Sequence, residues 1–245
     1  MNLTRHLDRA TWPEASLMGS LTPSDRGALL ALGTRVQFGD DDILVIQGDV
    51  GDVLYVLTGG MVKITVSAGT GAETMLAVRS RGDLIGEFSV LDGTPRAATA
   101  RAVGTVGAAR IAGCDFAAFA RACPSALPAV TRSVVSKLRT ETERHAAERN
   151  WGARERLAQV IHDLATGYGE KGDDGGVVIP LPLTQMELGE LAGVAVSTTE
   201  RVLAEFRREG LIHTGYREIA VRDMGCLRDT RFSASAAARP GTALS

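Results

Sequence analysis

A chain of 245 residues with 44% hydrophobic and 23% charged residues describes a globular protein of two domains with tails. Lys+Arg total 27 against 29 Asp+Glu, a net charge of −2, which excludes nucleic-acid binding by overall charge and leaves it to local clusters. No run of 18 apolar residues exists, and Met1-Asn2-Leu3-Thr4-Arg5-His6 lacks the apolar core of a signal peptide, so the expectation is a cytoplasmic protein without a membrane partner.

After Trp12-Pro13, Thr22-Pro23-Ser24-Asp25 signals a helix start, with Leu29, Leu30 and Leu32 as its apolar positions. Residues 1–20 read as an N-terminal extension. From Val36 to Val66 short strands are expected between turns at Asp40-Asp41-Asp42, Gln47-Gly48-Asp49, Thr58-Gly59-Gly60 and 68–71, a spacing typical of a small barrel or roll. The glycines at 48, 51, 59 and 60 read as structural, supplying positive φ at corners, without a ligand role.

Gly82-Asp83-Leu84-Ile85-Gly86-Glu87-Phe88 and Pro95-Arg96-Ala97-Ala98-Thr99 place glycines, a carboxylate and an arginine in an apolar setting between strand-like runs. Glycines let backbone N–H groups approach phosphate oxygens, arginine pairs with phosphate through its fork, and a carboxylate accepts bonds from sugar hydroxyls. The bland alternative is that Glu87 and Arg96 pair across a turn. The segment resembles the phosphate-binding cassette of the cyclic-nucleotide-binding domain. The resemblance implies that Gly86 and Glu87 hold the ribose 2′-hydroxyl, that Arg96 and the Ala97 amide hold the cyclic phosphate, and that Phe88 belongs to the same ligand site. Residues 48–63 look like the turn and strand pair of the same family, so 21–124 is expected to be a β-roll.

From Asp115 the pattern turns helical. Phe116 and Phe119 precede a break at Cys123-Pro124-Ser125, and no glycine or proline follows Pro128 as far as Arg149. So long a helix needs a partner surface. Val134 and Leu138 begin a heptad seam that continues through Glu141, His145 and Glu148, turning from apolar to polar. By the resemblance, 125–150 is a dimerisation helix whose middle, at Glu141 and Thr142, reaches the nucleotide base. Relatives that bind cAMP carry hydroxyls at both places, so Glu141 departs from them: it accepts from a base amino group or is a plain surface glutamate.

Leu157, Val160, Ile161 and Leu164 share one face of a further helix, and a strand-like run at 177–183 follows a glycine-rich loop. Thr184-Gln185-Met186-Glu187 is a capping-box candidate, Gly193 ends its helix, and Ser197 to Phe206 form a second helix closed by Gly210. Helix, glycine turn and helix make a helix-turn-helix, with the strands before it and at Glu218 to Val221 as the wing. Residues 151–227 resemble the winged helix-turn-helix of the CRP/FNR family of bacterial transcription regulators. Many relatives carry arginine and glutamate where this chain has Val196 and Ser197. The remaining DNA-contact candidates are Val196, Ser197, Thr198, Thr199 and Arg201. Arg201, Arg207 and Arg208 face five glutamates between Thr184 and His213, a balance that predicts weak non-specific DNA affinity. Residues 228–245 are expected to be a disordered tail.

Cys114, Cys123 and Cys226 are odd in number, lack metal-ligand spacing, and read as buried thiols. His6, His145, His162 and His213 pair with no cysteine, and no Gly-x-Ser-x-Gly elbow occurs, so neither a metal nor a catalytic residue is expected, and the chain is not read as an enzyme. The whole is an α+β expectation: β-roll, long dimerisation helix, winged helix-turn-helix. The resemblance implies a homodimer on a pseudo-palindromic double-stranded DNA site, with RNA polymerase as a further partner. No cofactor is implied beyond a regulatory nucleotide. Bacterial relatives that respond to cAMP usually carry serine or threonine at the place of Ala97, as cGMP-preferring sites do, whereas Pro95-Arg96-Ala97-Ala98-Thr99 resembles the cassette in regulatory subunits of cAMP-dependent protein kinase; the expectation is cAMP over cGMP. Two other readings stay open: a β-roll that is only a scaffold or takes another ligand, and a second domain that binds protein.

Overall fold

The computed structural model describes residues 12–13, 16–67, 69, 73–172, 175–215 and 218–237. The chain divides into two compact units, the first ending at Arg139 and the second beginning at Thr140. Part of the expected N-terminal extension and of the 68–71 turn lies outside the described residues.

In the first unit, α1 (Leu17–Ser20) and α2 (Pro23–Ala31) precede the sheet, and the Thr22 hydroxyl accepts the Asp25 amide at 3.1 Å to cap α2. Six antiparallel strands follow: β1 (Thr34–Phe38), β2 (Ile43–Val45), β3 (Val53–Ser67), β4 (Glu73–Ser80), β5 (Leu84–Ile85) and β6 (Thr99–Ala112). The order is β1-β6-β3-β4, with β2 on β6 and β5 on β3. Between β5 and β6 lies α3 (Glu87–Asp92). Successive side chains of a strand point to opposite faces, and β3 uses both. Leu54 and Val56 enter a core with Leu84, Ile111, Phe116 and Val130, while Tyr55 and Leu57 enter another with Ile85, Ala102 and Val106.

The turn expected at Thr58-Gly59-Gly60 is not a reversal. β3 runs straight through it, and its pairing with β6 shifts register between Leu57 and Met61. Gly60 takes φ +78° there, and a Cβ would come within 2.4 Å of the Thr105 carbonyl oxygen, so this position absorbs a β-bulge.

After β6 come α4 (Gly113–Ala122), a 3₁₀ turn at Pro124–Ala126, and α5 (Leu127–Asn150). The long helix expected at 125–150 runs from Leu127 to Asn150. Ala129 and Val130 are buried in the first unit's core, whereas the helix from Thr140 onward belongs with the second unit.

The second unit continues with α6 (Ala153–Tyr168), β7 (Glu170–Lys171), β8 (Val177–Ile179), α7 (Gln185–Ala192), α8 (Val196–Arg208), β9 (Ile212–Gly215), β10 (Glu218–Val221) and α9 (Met224–Ala237). Its antiparallel sheet has the order β7-β8-β10-β9. The buried Leu157, Ile161 and Leu164 of α6 form the centre on which α7, α8 and α9 pack. Two elements differ from expectation. Ile212–Gly215 forms the wing strand that pairs with β10, where the sequence suggested only a helix end. The tail expected to be disordered from Arg228 is helical as far as Ala237, anchored by the fully buried Leu227; residues 238–245 lie outside the described residues.

Cys114 and Cys226 are exposed and Cys123 half-buried, against the expectation of buried thiols: Cys114 sits in the first turn of α4 and Cys226 in that of α9, on their outer faces.

Candidate functional site

In the first unit, Gly86 ends β5 with φ +81° and starts α3, and Gly93 ends α3 with φ +72°. The chain then turns so that Arg96 N donates to the Asp49 carbonyl at 2.9 Å and Arg96 O accepts the Gly48 amide at 2.8 Å. This ties the cassette to the 46–49 turn, and the Thr99 hydroxyl secures it further by accepting the Gln47 amide at 3.1 Å.

The Arg96 side chain is 6% exposed and points inward. Its two terminal nitrogens donate to the Gly86 and Val53 carbonyl oxygens, each at 2.6 Å. Two glycines make room for it: a Cβ on Gly51 would lie 2.7 Å from one terminal nitrogen, and a Cβ on Gly86 2.6 Å from the other. Gly51 thus serves structurally, by leaving room for the Arg96 guanidinium.

Glu87, at the first position of α3, is 4% exposed. It does not pair with Arg96. Its Oε1 accepts Lys137 Nζ at 2.5 Å, and the same ammonium donates to the Leu84 carbonyl at 2.9 Å and lies 5.8 Å from the Phe88 ring centroid. Lys137 had no signal in the sequence, because its partner lies fifty residues away. Burial pushes the neighbouring Asp83 carboxyl up, against the Ser80 amide and the Lys137 and Arg79 charges, which pull it down. Ala97 is exposed beside Arg96. Gly86, Glu87, Phe88, Arg96 and Ala97 are thus gathered around one short helix. Glu141 and Thr142 lie in the second unit, where Glu141 pairs with Arg144 at 3.4 Å.

In the second unit, the Thr184 hydroxyl accepts the Glu187 amide at 3.1 Å while the Glu187 carboxylate accepts the Thr184 amide at 2.7 Å, closing the capping box. Gly193 takes φ +61° and ends α7, and Arg156 donates to the Ala192 and Gly193 carbonyls at 3.0 and 2.7 Å. The sequence did not mark Arg156 as this cap.

Of the five DNA-contact candidates on α8, Val196, Ser197 and Arg201 are exposed and Thr198 is half-exposed. Thr199 requires correction: it is 0% exposed, and its hydroxyl donates to the Ala195 carbonyl at 3.2 Å. A Cβ on Gly189 would lie 2.7 Å from that hydroxyl, so Thr199 is the point where α7 and α8 meet and cannot reach a base. A period of 3.6 residues turns it inward together with Val202, Leu203 and Phe206.

The acidic balance of this region is also altered by the fold. Arg154 from α6 lies 3.4 Å from Glu205 and 2.5 Å from Glu209, and Glu187 is turned back onto its own helix end. Glu187, Glu205 and Glu209 are therefore occupied. Arg201 pairs with Glu205 at 2.9 Å on the open side of α8. Among the described residues, no group of three or more His, Cys, Asp or Glu side chains is placed to hold a metal ion, and no helix is long and apolar enough to cross a membrane.

A β-roll with this cassette, followed by a winged helix-turn-helix, defines a transcription regulator with a cyclic-nucleotide-binding domain. Residues 35–123 match the cyclic nucleotide-binding domain and residues 155–230 the Crp-like helix-turn-helix domain. A Mycobacterium tuberculosis protein described as a CRP-like cAMP-activated global transcriptional regulator is 26% identical over 209 residues, covering 85% of this chain and 93% of that protein. The cyclic AMP receptor protein of Thermus thermophilus is 28% identical over 223 residues, covering 88% and 96%. The structure of FixK2 from Bradyrhizobium japonicum superposes with a TM-score of 0.71 at 17% identity, over 81% of this chain and 96% of that one. The chain belongs to the CRP/FNR family of transcription regulators.

Proposed function

We propose that the β-roll takes a cyclic nucleotide, cAMP in preference to cGMP, and that a homodimer of this chain thereby controls its binding to a pseudo-palindromic DNA site. The observation that carries this is the buried Arg96 guanidinium, framed by Gly51 and Gly86, beside Glu87 at the start of α3. The bonds to Gly86 and Val53 use two of the five guanidinium N–H donors, and a cyclic phosphate takes others. Ala97 offers no hydroxyl, which argues against cGMP. The relatives in Mycobacterium tuberculosis and Thermus thermophilus, described by their response to cAMP, support the same choice. Ligand acts by shifting the population of a DNA-competent conformation.

For the dimer, α5 exposes Leu127, Val135 and Leu138 in its first half, an apolar stripe that a second copy covers. Exposed Val196, Ser197 and Arg201 and half-exposed Thr198 meet the DNA, and the occupied glutamates lower its acidic cost. In this reading the protein works in the cytoplasm with RNA polymerase as its further partner. It catalyses no reaction and needs no cofactor.

Isothermal titration of the full-length protein is expected to give micromolar or tighter binding of cAMP, with cGMP at least about tenfold weaker, a difference of about 1.4 kcal/mol. Tighter binding of cGMP would overturn the preference. Association with DNA fragments is expected to weaken steeply with salt, since phosphate contacts release counterions. A flat salt dependence would mean that the second unit meets protein.

One observation favours a second reading, in which the β-roll is a scaffold. The Arg96 terminal nitrogens are already held by backbone carbonyls. No heat and no thermal shift with either nucleotide, together with DNA binding in their absence, would select it.

A further inference from the structure

β6 begins at Thr99, which pairs with Thr65 of β3. In an antiparallel ladder one strand advances as the other retreats, so the same register carried two residues further would bring Ser67 opposite Ala97. That pair does not form: β3 ends at Ser67, and the chain bends at Ala97 and Ala98 before β6 starts. The Ser67 backbone groups are taken instead by the side chain of Gln47. Gln47 Oε1 accepts the Ser67 amide at 2.7 Å, and Gln47 Nε2 donates to the Ser67 carbonyl at 3.3 Å. A carboxamide offers a carbonyl acceptor and N–H donors as a peptide group does, and here it stands in for one.

We propose that Gln47 is a positioning residue of the phosphate subsite: by taking the ladder place of residue 97 on Ser67, it keeps the Ala97 amide out of the sheet and available to the cyclic phosphate. The inference rests on the cyclic-nucleotide reading of the cassette. Ala97 is exposed, and none of the described residues accepts its amide. An unpaired strand end recruits the backbone that its register offers, and for Ser67 that backbone is Ala97. Anchoring the 46–49 turn does not require the Gln47 side chain. Gly48 N donates to Arg96 O at 2.8 Å, Arg96 N to Asp49 O at 2.9 Å, and the Gln47 backbone amide to the Thr99 hydroxyl at 3.1 Å, so the turn is held through its own main chain. The carboxamide is spent on Ser67.

The test measures cAMP affinity by isothermal titration and hydrogen exchange of the Ala97 amide at single-residue resolution, on full-length wild type, Gln47→Met and Gln47→Glu. Methionine keeps the length of the side chain without its polar ends. Glutamate keeps the acceptor for the Ser67 amide and loses only the donor to the Ser67 carbonyl, the group that the Ala97 amide would then meet. In the wild type this amide is expected to exchange fast without nucleotide and to slow by at least about tenfold with saturating cAMP. In both variants it is expected to be slowed already without nucleotide, with cAMP bound about tenfold more weakly, the worth of a hydrogen bond to a charged group. A general loosening of the turn would change the exchange in the opposite direction. A thermal melt serves as the folding control.

Exchange at Ala97 that is unchanged or faster in the nucleotide-free variants, or cAMP affinity within about threefold of the wild type, would assign Gln47 to anchoring the turn and overturn the inference. In those cases wild-type cAMP binding leaves the cyclic-nucleotide reading in place. A wild type that binds neither cAMP nor cGMP removes both.

Discussion

Replacing Arg96 with alanine is expected to reduce cyclic-nucleotide affinity by at least about 100-fold, roughly 3 kcal/mol, as measured by isothermal titration. A forked, charge-assisted pairing with phosphate is among the strongest polar contacts a protein makes, and here it is placed in a setting from which water is largely excluded. The same substitution has a second effect that a surface arginine would not show. The Gly86 and Val53 carbonyls each lose a 2.6 Å donor, and a buried acceptor left unsatisfied costs about 1–3 kcal/mol. The first unit should therefore melt at a lower temperature even without ligand. Arg96→Lys retains the charge but cannot fork to both carbonyls, so it is expected to fall between the two in both measurements. An Arg96→Ala protein that binds cAMP within about threefold of the wild type would remove Arg96 from the ligand site.

The second large effect is expected in the other unit. Phe206 is 0% exposed on the inner face of α8, and the Arg154 guanidinium covers its ring at 4.8 Å from the centroid. Truncating a buried phenylalanine to alanine costs about 3–5 kcal/mol. Against the 5–15 kcal/mol that holds a typical domain together, this is a large share. Phe206→Ala should lower the melting temperature of the second unit by more than about 10 °C and abolish DNA binding at 37 °C. Nucleotide binding by the first unit should persist, because no Phe206 contact supports the cassette. Calorimetry on the variant, with and without cAMP, checks both parts; simultaneous loss of nucleotide binding would mean that the two units do not fold independently.

The periodicity of the sequence was sufficient for most of the architecture. The 3.6-residue spacing of Leu157, Ile161 and Leu164, the capping box at Thr184 and Glu187, and the left-handed Gly193 are local signals, satisfied by neighbours within a turn or two. The cassette was legible for the same reason: Gly86 through Ala97 are close in the chain, and their residue types name the chemistry. Local patterning misled where a glycine had two possible uses. Gly60 supplies positive φ either to a turn or to a bulge, and only the pairing of β3 with β6 selects the bulge.

What only the tertiary structure decided are the pairings made across long stretches of chain. Arg96 meets Val53, Lys137 meets Glu87, and Arg154 meets Glu205 and Glu209. The sequence by itself determined which residue types were available, and with them the family and the class of ligand chemistry. Which charges are free to act on a partner and which are spent on one another depends on burial, and burial is set by how distant elements pack.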